Sequence, residues 1–76
     1  MQVRLLAFAH TVQQAGFHER IVECAPEETP RQLWFRTAPS IEPRGLRVAV
    51  DCEYHDWDLP IGEAAEVALI PPVSGG

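Results

Sequence analysis

Thr29-Pro30-Arg31-Gln32 is the clearest helix start in the chain, and it limits the fold more than any other stretch. Thr29 supplies an N-cap oxygen, Pro30 suits the first helical position, and Gln32 stands at the capping-box position. Leu33, Trp34 and Ala38 then face one way, and Pro39 closes the helix after roughly two to three turns. A helix this short is marginal alone in water, so packing must hold it. The remainder of the chain offers mainly strands for it to pack on.

Residues 3–9 read as a first strand, with Val3, Leu5, Ala7 and Ala9 on one face and Arg4, Leu6 and Phe8 on the other. Residues 10–16 are polar and end in Gly16, which predicts a short helical turn and a hairpin-like return. Residues 17–24 form a second strand with Ile21 and Val22 at its centre, Glu19 and Glu23 toward water, and Cys24 on the Val22 side. Pro26, Glu27 and Glu28 form a turn into the helix, and residues 40–45, with Pro43 and Gly45, form the loop after it. Leu46, Val48, Val50 and Cys52 alternate with Arg47, Ala49 and Asp51, the pattern of a strand with one buried face. Residues 53–59 carry Tyr54 and Trp57 among acids and predict a turn with a short edge strand. Pro60-Ile61-Gly62 leads to the last strand, residues 66–70, where Val67 and Leu69 alternate with Ala68 and Ile70.

Strand, strand, short helix, strand, short strand, strand is the order of an α+β, β-grasp (ubiquitin-like) fold. The expectation is a mixed sheet of four to five strands with one main short helix on one face. First and last strands would be neighbours, the last one central, and the helix would join two parallel strands. Residues 1–70 form the β-grasp domain and residues 71–76 an extended C-terminal tail.

That tail, Pro71-Pro72-Val73-Ser74-Gly75-Gly76, is expected to protrude. Pro71 cannot donate to a sheet ladder, and the Pro-Pro pair favours a stiff extended path. Six extended residues reach on the order of 20 Å. Gly75 and Gly76 lack side chains and suit a narrow channel. Two readings stand at this point: a working tail that delivers a terminal carboxylate into another protein, or a frayed end.

Composition narrows the classes. With 46 % apolar and 22 % charged residues the chain is globular rather than disordered. The net charge of −5 leaves no basic patch for phosphates, which argues against nucleic acid. All six basic residues are arginines. A chain without lysine has no side-chain amine of its own for an activated terminus to attack, although compositional bias would give the same result. Cys24 and Cys52 have no metal-type spacing, and no apolar run is long enough to span a membrane. Reduced thiols and a cytoplasmic location are expected. His10, His18 and His55 have no ligand spacing, Asp56 and Asp58 read as a solvated turn, and no phosphate loop is present. No metal site and no cofactor bound by the chain are therefore expected.

The stretch from Ala49-Val50-Asp51 through Glu66-Val67-Ala68-Leu69-Ile70 to the Pro-Pro-Val-Ser-Gly-Gly ending resembles the small subunit of molybdopterin synthase. The first strand and the Thr29 segment resemble the same family. Thiazole-pathway sulfur carriers share the fold and the Gly-Gly end. The resemblance implies sulfur carriage. An E1-like enzyme uses ATP to adenylate the C-terminal glycine, here Gly76, and a donor such as a cysteine desulfurase or rhodanese supplies sulfur to form a thiocarboxylate. The tail, with Gly75 as threading residue, then enters a large synthase subunit and donates sulfur to cyclic pyranopterin monophosphate. The resemblance further implies a heterotetramer, with catalytic residues on the large subunit. Its implied interface residues are Phe8, Tyr54, Ile70, Pro71, Pro72, Val73 and Ser74. The chain departs from the family pattern at Ala64-Ala65, where Gly-Asp is usual, so a reshaped turn is expected there. It also has Asp51 where Asn is frequent. The alternatives are a carrier for the thiazole/thiamine or cysteine pathways, and a ubiquitin-like interaction module that carries nothing.

Overall fold

Strands at both ends of the sequence meet in the middle of one sheet. The computed structural model describes residues 1–71, and in them the elements run β1 (Gln2–Ala7), α1 (Thr11–Ala15), β2 (Glu19–Glu23), α2 (Pro30–Thr37), β3 (Arg47–Val50), β4 (Glu53–His55) and β5 (Glu66–Ile70). The sheet order is β2-β1-β5-β3-β4. β1 and β5 are parallel, and the β1–β2, β3–β5 and β3–β4 pairs are antiparallel. β2 and β3 therefore run the same way, so α2 lies in a crossover between parallel strands, as the element order requires. β5 sits third of five, and this is the β-grasp fold.

Alternation decides which side chains enter the core. Val3, Leu5 and Ala7 of β1, Val48 of β3, and Val67 and Leu69 of β5 are buried on one face. Leu33 and Trp34 of α2 and Ala38 at its C-cap close on them, with Ile41, Leu46, Ile61 and Ala64 at the rim. Burying apolar area at about 25 cal/mol per Å² is what holds so short a helix to the sheet. The Trp34 ring stacks on Phe17 with centroids 5.8 Å apart, yet its Nε1–H finds no partner among the described residues.

The helix entrance is built as its sequence predicts. The Gln32 N–H donates to Thr29 Oγ1 (3.2 Å), and the Thr29 N–H donates to Gln32 Oε1 (3.0 Å), which completes the capping box. The segment after β4 straps this entrance. The Ile61 N–H donates to the Glu28 carbonyl (2.9 Å), the Gly62 N–H to that of Pro26 (2.9 Å), and the Arg31 N–H to that of Trp57 (3.1 Å). The Arg31 side chain grips Asp58 with two bonds of 2.7 and 3.2 Å.

Several details differ from the sequence reading. β1 stops at Ala7, so Ala9, read there as part of the inward set, is exposed at φ 51° where the chain turns into α1. Cys52 does not continue β3 with the apolar set; it is exposed in a two-residue turn. Asp51 (φ 50°) and Cys52 (φ 71°) are both left-handed there. That conformation matches the right-handed twist of a tight hairpin and ends the alternation. The Ala64-Ala65 segment needs no left-handed residue, because Gly62 (φ 66°) makes the bend two residues earlier. Ala64 is instead packed into the core.

Candidate functional site

Among the described residues, no helix covers the sheet face away from α2. Its register aligns Glu19, Leu6, Ala68, Ala49 and Tyr54 in one row across all five strands. Ala68 and Ala49 are small, and both are buried although they lie on this outer face. Larger neighbours stand around them, which leaves a depression of about 350 Å³ lined by Leu6, Phe8, Ala49, Cys52, Tyr54, Glu66, Ala68 and Ile70.

Each predicted contact residue in the described range takes its place from the fold. Phe8 follows the end of β1 and is held by Thr11. Its N–H donates to Thr11 Oγ1 (2.8 Å), the Thr11 hydroxyl donates back to the Phe8 carbonyl, and Thr11 is fully buried. The Phe8 ring meets the edge of His18 at 6.1 Å and stays 39 % exposed. Tyr54 stands on β4 at 68 % exposure with the Arg47 guanidinium 5.2 Å above its ring. Ile70 ends the central strand, and half-buried Pro71 follows it. Phe8, Tyr54 and Ile70, far apart in sequence, thus line one hollow, and β5 hands over to Pro71 beside it. Pro72, Val73, Ser74, Gly75 and Gly76 lie outside the described residues.

Sequence reasoning did not single out Leu6, Ala49, Ala68, Cys52 or Glu66. Alternation had already put Leu6 beside Phe8. The two alanines needed the pairing register, which no local pattern carries. Glu66 closes the far end of the hollow, where Cys52 Sγ donates to its Oε1 at 3.5 Å. That carboxylate pushes the Cys52 thiol above its ordinary value. Burial, with Glu28 second, does the same to half-buried Cys24. Neither thiol is thus prepared as a nucleophile, since the thiolate is the reactive form. Among the described residues no three His, Cys, Asp or Glu side chains converge as metal ligands, and no helix is long and apolar enough to cross a membrane. What this face offers is an apolar contact surface beside an outgoing strand.

Comparison with known proteins agrees with the fold. The model described as the ThiS family matches residues 5–76. The structure is similar to that of SAMP1 from Haloferax volcanii at 22 % identity, with 100 % of each chain covered and a TM-score of 0.78. It is similar to a Pyrococcus furiosus protein assigned as molybdopterin converting factor, subunit 1, at 22 % identity, with 96 % of this chain and 99 % of that one covered and a TM-score of 0.74. The small archaeal modifier protein 1 of Methanosarcina acetivorans shares 17 % identity, with 99 % and 96 % covered and a TM-score of 0.70. No curated protein sequence matches the chain significantly.

Proposed function

The chain belongs to the ThiS family of ubiquitin-like sulfur carriers, and from that premise we propose that it is the sulfur-carrying small subunit of a molybdopterin synthase. The observation that carries this reading is the hollow of Phe8, Tyr54 and Ile70 beside the end of β5. An apolar, aromatic-rimmed patch of this kind suits a large partner subunit, and the strand next to it leads into Pro71 and the Pro-Pro-Val-Ser-Gly-Gly sequence.

The chemistry follows from the weakness of a carboxylate as an acyl donor. An E1-like enzyme joins the Gly76 carboxylate to AMP, releasing pyrophosphate from ATP. The outer sulfur of a donor persulfide attacks the acyl carbon, and AMP leaves with its electron pair. A thiol of the donor or activating enzyme then cleaves the acyl disulfide, pairing with the donor sulfur as a disulfide and leaving both electrons on the acyl-bound sulfur. The resulting thiocarboxylate, carried on Gly75-Gly76, enters the large subunit. Its sulfur passes to cyclic pyranopterin monophosphate, water supplies the returning oxygen, and the carboxylate is regenerated. Two such rounds build a dithiolene. Pro71, Pro72, Val73 and Ser74 span the distance between the docked body and the acceptor's pocket. ATP, sulfur donor and catalytic groups belong to partners, and the work takes place in the cytoplasm.

Intact mass tests the reading. After incubation with ATP, an E1-like enzyme and a sulfur donor, the mass should rise by the difference between sulfur and oxygen, and deletion of Gly76 should abolish the rise. No rise with any cognate enzyme overturns it. A second reading, a carrier for thiazole formation, is favoured by the family model that matches. It shares the tail chemistry and differs in the acceptor, so capture of thiazole synthase in place of the synthase large subunit would select it.

A further inference from the structure

We propose that the activated end of this carrier passes only to other molecules, so that one copy does not acylate another and amide-linked chains of the protein do not form. The inference rests on the reading that Gly76 is the activated end.

Self-acylation needs a nucleophile on a second copy. A neutral amine nitrogen attacks the acyl carbon, a C–N bond forms, and the bond to adenylate oxygen or thioester sulfur breaks. AMP or thiol leaves with the electron pair, and the amine proton goes to water. The chain has no lysine to start this reaction; its six basic side chains are arginines, whose guanidinium groups stay protonated. Compositional bias would explain that much, but it does not reach the remaining amine or the two thiols, and these are engaged as well. The Met1 amine donates to the Cys24 carbonyl at 2.9 Å and lies 3.6 Å from the Glu23 carboxylate, contacts that attack would forfeit. Cys24 is half-buried, and Cys52 donates its S–H to Glu66. Both thiols are pushed toward the protonated, unreactive form. An acyl group on either sulfur would in any case be a thioester, which gives it up again. Amines and thiols are quenched by different means, and the common outcome is a body inert toward its own activated end.

A C-terminal thioester of the 76-residue chain, made by intein cleavage, tests this without an activating enzyme. Conversion to the hydroxamate by hydroxylamine confirms that the acyl end is active. Held concentrated in mildly alkaline, reducing buffer, the native chain should hydrolyse to monomer, read by intact mass and denaturing gel. R20K and R44K, both at exposed positions, should give at least about tenfold more reductant-resistant dimer, because a lysine amine supplies the missing nucleophile. Amide-linked dimer from the native chain at the level of the variants overturns the proposal, and so does its absence from both variants. An E1-like enzyme that yields no hydroxamate from the native carboxylate counts against the carrier role and leaves the thioester result standing.

Discussion

Asp51 and Glu66 hold each other twice. The Asp51 N–H donates to the Glu66 carbonyl (3.0 Å), and the Glu66 N–H donates to Asp51 Oδ1 (3.1 Å). The same oxygen also accepts the Ala65 N–H at 2.9 Å. One carboxylate oxygen thereby fixes the β3–β4 turn and the start of the central strand. Asp51→Ala should cost about 1–3 kcal/mol by leaving backbone donors unpaired, with an added penalty for alanine at φ 50°. Asp51→Asn keeps an acceptor and a residue type tolerant of that backbone. Urea denaturation of the two variants should separate them clearly, with Asn near the parent.

The pair of Arg36 and Glu28 should show in the acid limb of the stability profile. The guanidinium bonds both carboxylate oxygens at 2.9 Å and holds Glu28 below its ordinary value, mainly through that hydrogen bonding. A lowered native value means that the unfolded chain binds the proton more readily. The contribution is therefore full above the ordinary glutamate value of about 4.3 and is lost as pH falls through the lower native one. The pair is partly exposed, so a double-mutant cycle with Glu28→Gln and Arg36→Ala should give about 0.5–1 kcal/mol at neutral pH, shrinking in acid. An unchanged coupling in acid would contradict this assignment.

Truncation on the outer face should separate binding from folding. Tyr54 is 68 % exposed, so Tyr54→Ala should leave stability within about 0.5 kcal/mol. If the hollow seats a large subunit, the same change, and Phe8→Ala with it, should weaken that complex about tenfold or more, as for aromatic anchors at other interfaces. Titration calorimetry with thermal melts of the free carrier reads both quantities. Full affinity in both variants would remove the hollow from the interface.

Core positions on α2 should differ by chemistry. Leu33 is fully buried, and Leu33→Ala should cost about 2–5 kcal/mol. Trp34→Phe loses area but also removes a buried N–H that has no partner among the described residues. Relief of that unpaired donor, about 1–3 kcal/mol, offsets part of the lost packing. The tryptophan change should be the milder of the two in chemical denaturation, and a reversal would mean that the indole makes a contact the unpaired N–H does not reveal.

Local chemistry and strict alternation carry far in this chain. The capping box of Thr29 and Gln32, the Pro39 stop, the bend at Gly16, and the inward sets Val3-Leu5-Ala7 and Val67-Leu69 depend on neighbours within a few residues, so the residues alone determined them. The family resemblance was legible there too, because it is carried by contiguous stretches and is strongest at the ending. Cys52 shows where that reach stops: alternation extended the strand through it, but a two-residue hairpin required a left-handed backbone and turned it outward. The clasp of Asp51 on Glu66 and the meeting of Phe8, Tyr54 and Ile70 over Ala49 and Ala68 were decided only by the tertiary structure. Each joins strands distant in sequence, and pairing register is a property of two strands together, which neither strand's own pattern contains.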